Sequence, residues 1–314
     1  MKTRRALALL ALLLAPLAGA DCHGLAPPRV VPVAAGDQWS LATLNLWRLR
    51  DASKDARFDE PLSEPVYRHR LDALAGYLLD TLRAPPLLAL QEIENRAILD
   101  ALIERIVAAG GPRYQGVLME GHDPSGMDVA LLYRPPVAVG AVRALFSSSR
   151  YRGQPLFSRP PLAVSLKQPV EATVVVVHLR SARDLGRKAW VAEKRRRQAS
   201  ALGDWIAARR GALIVAGDFN SAPEPGLFGE PWRLIGASGL YDSWQRLDRD
   251  ERYSFRHRCQ PQALDHILMS KTLLPKLRAV AVSRGNAGRY DRLYGSNGTE
   301  VVSDHDALVV YFQK

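Results

Sequence analysis

The stretch that most constrains this chain is Ala212-Leu213-Ile214-Val215-Ala216-Gly217-Asp218-Phe219-Asn220-Ser221. A short apolar run rich in branched residues predicts a buried strand, and Gly217 followed by Pro223-Glu224-Pro225 predicts an abrupt stop. Side chains alternate along a strand, so Asp218 and Asn220, two apart, project the same way. An acceptor and an amide side by side at a strand mouth suit a water, a metal or a phosphate. The same residue types also favour turns, so the stretch alone reads equally as a plain turn. Matching polar residues at the ends of other apolar runs favour the first reading.

Those runs predict strands over Trp39–Leu46, Leu87–Leu90, Val129–Tyr133, Leu162–Leu166, Thr173–Val177, Ala263–Met269, Val280–Val282 and Leu308–Phe312. Apolar residues at helical spacing predict helices over Tyr67–Leu82, Ile98–Ala108 and Arg187–Arg209. The segment from the Asp218 strand to Ala263 reads as a proline-rich loop, and Ser147–Arg159 as a basic loop. Many short strands with a few helices between distant ones fit an α+β chain with two mainly antiparallel facing sheets and helices outside. A doubly wound parallel sheet needs a more regular alternation.

The first 20 residues read as a secretory signal peptide: Lys2, Arg4 and Arg5, the apolar run Ala6–Leu17, and Ala18-Gly19-Ala20 as cleavage site. The run is too short to span a bilayer, and no other segment is long enough. The expected organisation is the leader 1–20, a lead-in 21–38 and one catalytic domain 39–314, secreted or periplasmic and monomeric, without membrane insertion. The net charge of +11 includes three leader cations, which leaves +8 after cleavage. A basic exported protein is biased toward polyanions, with nucleic acid the first expectation. Cys22 and Cys259 are the only cysteines and are predicted to form one disulfide in an oxidising compartment.

The strand ends together supply Asn45, Glu92, Asp128, His178, Asp218, Asn220, Asp265, His266, Asp304 and His305. Oxygen ligands suit a hard divalent cation, and a set without cysteine argues against structural zinc. A metal that neutralises phosphate charge, a carboxylate that takes a proton from water and a histidine beside a carboxylate are the requirements of phosphodiester hydrolysis. His266 and Asp128 read as structural, and Asp306 as an exposed neighbour. Lys194 and Arg195 read as part of a solvated helix face. Arg150, Arg152, Arg159, Arg180, Arg183 and Arg292 are candidates for phosphate contacts.

In order along the chain stand Leu44-Asn45, Leu90-Gln91-Glu92, Asp128-Val129-Ala130, Val177-His178-Leu179, Gly217-Asp218-Phe219-Asn220, Leu264-Asp265-His266 and Ser303-Asp304-His305. On these motifs the chain resembles the endonuclease/exonuclease/phosphatase superfamily, the deoxyribonuclease I-like group, and within it the exported bacterial nucleases. One departure is Val177, where such relatives often carry Asn. The resemblance implies a four-layer α/β sandwich. It implies that Glu92, with Asn45, holds Mg²⁺ or Mn²⁺, and that Asp265 touches a second metal or supports His305. It further implies that Asp218 orients or deprotonates the attacking water and that Asn220 stabilises the transition state. His305, oriented by Asp304 or Asp265, contacts the scissile phosphate or transfers a proton, and His178 is a second donor to it or an acid for the leaving oxygen. The expected activity is metal-dependent hydrolysis of DNA, RNA or both with little sequence preference. A phospholipid or small-phosphoester phosphodiesterase on the same fold, and an inactive binding protein, are the alternatives; Tyr290 and Tyr294 look more like base or sugar contacts than a membrane-facing loop.

Overall fold

Strand β1 (Gln38–Leu49) is buried on both faces: Trp39 and Leu41 point to one side, Ala42, Leu44 and Leu46 to the other. Such a strand needs a layer on each side of it, and the chain supplies them. The structure is a computed structural model that describes residues 22, 24–290 and 301–314. The expected leader, Arg292 and Tyr294 lie outside the described residues.

Strands β2 (Leu87–Ile93), β3 (Gln115–Leu118) and β4 (Asp128–Tyr133) join β1 in a first sheet. The chain then builds a second sheet from β5 (Ala138–Ala144), β8 (Leu162–Gln168), β9 (Ala172–His178), β10 (Leu213–Asp218), β11 (Tyr241–Asp242) and β14 (Asp265–Met269). Two small hairpins, β6 (Arg150–Tyr151) with β7 (Gln154–Pro155) and β12 (Phe255–His257) with β13 (Gln260–Gln262), stand apart from it. Finally β15 (Leu277–Val282) and β16 (Leu308–Gln313) return to the first sheet. The orders are β15-β16-β1-β2-β4-β3 and β11-β14-β10-β9-β8-β5. Only β1–β2 and β9–β10 pair in parallel; every other pairing in the two sheets is antiparallel.

Helices α1 (Glu64–Gly76), extended by a π-helical turn over Tyr77–Thr81, and α2 (Arg96–Ala108) cover the outer face of the first sheet with Leu71, Leu74, Leu99, Leu102 and Ile106. Asn95 caps α2 by accepting from the Ile98 amide at 3.0 Å. Helices α3 (Ala189–Ala207) and α4 (Gly226–Gly236) cover the second sheet with Leu202, Ile206 and Ile235. Between the sheets lies a core that includes Trp39 stacked on Phe312 at 4.9 Å. This is the expected four-layer sandwich.

Several elements depart from the sequence reading, among them the two small hairpins in segments read as loops. α4 replaces part of the expected loop; three glycines and Pro231 disguise it, and Gly229 is required where a Cβ would lie 1.7 Å from the Glu224 carbonyl oxygen. β5 shows no clear alternation because much of it is exposed, while β3 and β11 are too short for a periodic signal. Asp306 is buried instead of exposed: Arg284 Nη1 pairs with it at 3.1 Å, and its other oxygen accepts from the Asn286 amide at 2.9 Å. Arg284 also stacks over Tyr253 and donates to the Glu251 carbonyl oxygen, and Arg29 in the lead-in binds the Glu251 carboxylate. The lead-in is thereby tied to the same corner of the fold.

The structure joins Cys22 to Cys259, which lies in the β12–β13 turn, with Cα atoms 5.3 Å apart and a sequence separation of 237. Closing so long a loop restricts the unfolded chain. Replacing both cysteines with serine is expected to lower unfolding stability by about 2–4 kcal/mol in denaturant titrations under oxidising conditions. An unchanged midpoint would show that the bond contributes nothing to stability.

Candidate active site

The catalytic candidates owe their positions to strand register. In the second sheet Asp218 pairs across β9 with His178 and across β14 with Asp265, so three polar residues stand in a row at one sheet end. Gly217 makes this possible: it has φ 141°, and a Cβ there would lie 2.0 Å from the Val177 carbonyl oxygen. In the first sheet, irregularities after Asn45 in β1 and after Gln91 in β2 re-aim the backbone. Arg48 and Glu92 take the left-handed conformation there, with φ 53° and 60°. The Arg48 amide then donates to Glu92 Oε2 at 2.9 Å, and the Trp47 amide to Asn45 Oδ1 at 2.8 Å.

Asn45 Nδ2 is shared between Glu92 Oε1 and Asp218 Oδ2, each at 3.2 Å, which draws the two sheet ends together. His178 Nε2 lies 3.4 Å from Asp218 Oδ2 and 3.8 Å from Glu92 Oε1. The Asn220 amide donates to Asp218 Oδ1 at 2.7 Å, and Asn220 Nδ2 to the Leu179 carbonyl at 3.1 Å. His305 Nδ1 meets Asp265 Oδ2 at 2.5 Å, while its Nε2 is 3.8 Å from Asp304 Oδ1. All eight residues expected at the centre from sequence, Asn45, Glu92, His178, Asp218, Asn220, Asp265, Asp304 and His305, therefore meet in one connected cluster.

Burial sets the charge pattern. It pushes Asp218 up to about 7, helped by repulsion from Asp265 and opposed by His305. Burial likewise raises Asp304 to about 6. His305 is driven the other way: burial opposes its charge, but Asp265, Asp304 and Asp218 outweigh that and hold it well above the usual imidazole value. His178 is pushed well below that value by burial, with Arg159 and His305 adding to the effect. The site thus contains one charged and one neutral imidazole, on opposite sides of Asp218.

Asp218, Asp265 and His305 offer ligand atoms within 4.8 Å of one another, a grouping able to hold a cation. The hydrogen bond to Asp265 and the raised His305 value make that ring a proton carrier more than a ligand. The oxygen donors suit a hard cation better: Asp265 Oδ1 and Asp304 Oδ1 are buried without a hydrogen-bond partner, in the same cluster as Glu92 and Asn45.

Supporting residues were less visible in sequence. Ser303 Oγ donates to the Asn45 carbonyl at 2.6 Å and accepts from the His305 amide at 2.9 Å, linking the two ends of the chain; its place in the Ser-Asp-His motif was the only signal. The Phe255 ring packs against His305 at 4.8 Å. Arg195 corrects the solvated-face reading of α3: it is buried and donates to the carbonyls of Arg180, Asn220 and Phe228, at 2.7, 2.9 and 3.0 Å. Lys194 is buried as well, against the Pro155 carbonyl at 3.0 Å. Helical spacing alone does not separate these two cations from Arg196 and Arg197, which pair with Glu193 on the exposed side.

Of the phosphate candidates, Arg159 is the cation that acts on His178; it is mostly buried and 3.4 Å from Asp123. Arg180 is half-buried, bonded to Ser181 Oγ and stacked over Trp190. Arg183 is exposed, and Arg152 sits on the exposed β6–β7 turn over Tyr151. His266 is structural as expected: Nε2 meets the Ala263 and Ser221 carbonyls at 2.8 and 3.2 Å, and Nδ1 meets Asp242 Oδ2 at 3.1 Å. Asp128 is buried, accepts from the Gly121 amide at 2.9 Å and is pushed up to about 8 by burial.

The sequence model described as the Endonuclease/Exonuclease/phosphatase family matches residues 42–305, from β1 to the His305 motif. Among solved structures, the chain is similar to a humanized D. rerio TDP2 carrying 14 mutations, with TM-score 0.62 and 18% identity over 89% of this chain and 100% of that one. It is similar to D. rerio TDP2 complexed with single strand DNA product, with TM-score 0.60 and 19% identity over 88% and 99% of the two chains. An endonuclease/exonuclease/phosphatase family protein from Leptotrichia buccalis C-1013-b gives TM-score 0.58 and 14% identity over 88% and 100%. At such identities the likeness shows the fold. A search of curated proteins by sequence gives no match.

A carboxyl raised in the folded state stabilises the fold fully below its unfolded value of about 3.9 and loses that contribution as pH rises through about 7. Asp218→Asn removes the buried charge. With chelator present, its thermal midpoint relative to the parent is expected to rise between pH 4 and pH 8. A difference that stays flat or falls with pH would contradict the raised value.

Proposed function

The chain belongs to the endonuclease/exonuclease/phosphatase family, and from that premise we propose that it is an exported, monomeric, divalent-metal-dependent phosphodiesterase that hydrolyses DNA, RNA or both with little sequence preference. The observation that carries this reading is the placement of Asp218 between a neutral and a charged imidazole, next to buried carboxylate oxygens without partners. Glu92, Asn45, Asp265 and Asp304 would hold Mg²⁺ or Mn²⁺, whose charge, when bound, neutralises a phosphate oxygen.

The protein's own groups supply the rest. Asp218 is ionised above about pH 7 and then accepts a proton from a water aimed at phosphorus. The Asn220 amide holds that carboxylate through Oδ1; its Nδ2 gives one hydrogen to the Leu179 carbonyl, and the second would meet the charge that develops on the phosphoryl oxygens. His305, kept protonated by Asp265, donates to the phosphate from Nε2. His178 stays neutral beside Asp218 and adds a donor without adding charge. Arg159 and Arg180 place positive charge on the His178 side, where the adjoining phosphates of a polymer would lie. The solved relative that holds single-stranded DNA product supports nucleic acid as the substrate class. The Cys22–Cys259 bond supports an oxidising compartment.

The deciding experiment incubates the purified protein with plasmid, single-stranded DNA, RNA and phospholipid vesicles, with and without chelator. Chelator-sensitive cleavage of nucleic acid is expected. Hydrolysis confined to phospholipid would assign the fold to the other substrate. Asp218→Ala and His305→Ala are each expected to lower cleavage by about 10²–10⁴-fold, the usual weight of a proton-transfer group. Either variant retaining the parent rate with a normal unfolding curve would remove that residue from the mechanism. Glu92→Gln should raise the Mn²⁺ concentration needed for half-maximal rate, and an unchanged metal dependence would take Glu92 out of the ligand set.

The exposed arginines give a separate test. Each phosphate contact contributes about 0.7–0.9 to the slope of log affinity against log salt. Replacing Arg152 and Arg183 with alanine is expected to flatten that slope for a long polymer while leaving hydrolysis of a nitrophenyl phosphodiester unchanged. Equal losses on both substrates would place them in support of the active site instead.

A further inference from the structure

A side pocket of about 670 Å³ opens beside the catalytic cluster at the β11 edge of the second sheet. Its volume falls in the range of about 300–1,000 Å³ typical of small-molecule sites. Its lining includes Ala222, two residues past Asn220, and Ala263 and His266, which stand on either side of Asp265 in sequence. Two residues of extended chain span only about 7 Å, so the pocket shares its flanking chain segments with the reacting centre. The connection is physical as well as sequential. Ser221 Oγ accepts from the Trp232 amide at 3.2 Å, and the Ser221 carbonyl meets the His266 ring.

The lining has a definite chemistry. Trp232 lies parallel to His266 at 3.9 Å and presents a flat aromatic wall. Trp244 is held from behind by its Nε1 bond to the Asp265 carbonyl at 2.8 Å. Around these indoles stand two carboxamides, Gln245 and Gln262, two acids, Glu224 and Asp242, and one guanidinium, Arg252, whose Nε is held by the Leu247 carbonyl. Flat apolar walls bind rings, and amides with one donor-rich and one acceptor-rich group match the mixed edge of a heterocycle. A second phosphate is disfavoured, because two carboxylates, Glu224 and Asp242, stand against the one guanidinium of Arg252. The geometry points to a subsite for an unpaired nucleobase of the nucleotide next to the scissile phosphodiester, and hence to a preference for single-stranded or locally opened nucleic acid. This rests on the nucleic-acid reading above and names the form of substrate that the site takes. A base reaches such a pocket only out of its stack, which in an intact duplex costs a few kcal/mol and in a single strand less.

Tryptophan fluorescence of the intact protein, titrated with adenosine 5′-monophosphate and separately with ribose 5-phosphate and maltose, tests the subsite without any bond cleavage. Saturable quenching by the nucleotide alone is expected, and it should disappear in Trp232→Leu. Gln262→Ala should weaken the nucleotide about two- to tenfold, the loss of one hydrogen bond. The KM for single-stranded DNA should lie below that for the matching duplex. No saturable quenching, equal quenching by ribose 5-phosphate, saturation by maltose instead, or a lower KM for duplex would each overturn the proposal. A protein that cleaves DNA but binds no nucleotide overturns the base subsite alone. One that binds the nucleotide but hydrolyses no phosphodiester overturns the hydrolase reading alone.

Discussion

One amide group spans the two sheets. Asn45 Nδ2 donates to Glu92 within its own sheet and to Asp218 in the facing one. The candidate site is therefore a property of how the sheets pack, and the distance across it depends on the core between them. That core is filled by large rigid groups, Trp39 on Phe312 with Leu41, Ile214 and Ile267, and close-packed interiors transmit small volume changes to their edges. Core residues far from the opening are thus part of the site's geometry although none of them touches it.

The same closeness creates an electrostatic problem. Asp218 and Asp265 are buried, and the partly buried Asp304 lies beside them, with a single charged imidazole among the three. Burying like charges is costly unless they are paired or neutralised. The fold answers in two ways: it keeps Asp218 near the point of protonation and bonds Asp265 to His305. What remains is a demand for positive charge where carboxylate oxygens lack partners, which is the kind of tension that functional sites retain.

The central strands and most of the site were legible in the sequence because both leave short-range marks. Valine-rich β9 and the run before Asp218 are buried on both faces and read as strands, and the polar residues at their ends stand out by contrast. The rest was set by tertiary context. Helix α4 contradicts local propensity with Pro231 and three glycines, and it persists because its Ile235 face is buried on the second sheet. Arg195 looks in sequence like any other cation of a basic helix; only the meeting of three backbone carbonyls shows that it holds the Asn220 loop in place. Asp306 was misread for the same reason, since its partner Arg284 comes from a different strand end.

The Ser303–Asn45 hydrogen bond joins residues 258 positions apart, and β16, which follows His305, lies between β15 and β1 in the first sheet. Contacts of such separation form late, because a long loop must close before they repay its entropy. A chain emerging from the ribosome has no complete candidate site until it has been made as far as His305. Shorter nascent chains are incomplete by construction: Asn45 and Glu92 emerge first, but the imidazole of His305 arrives only just before β16.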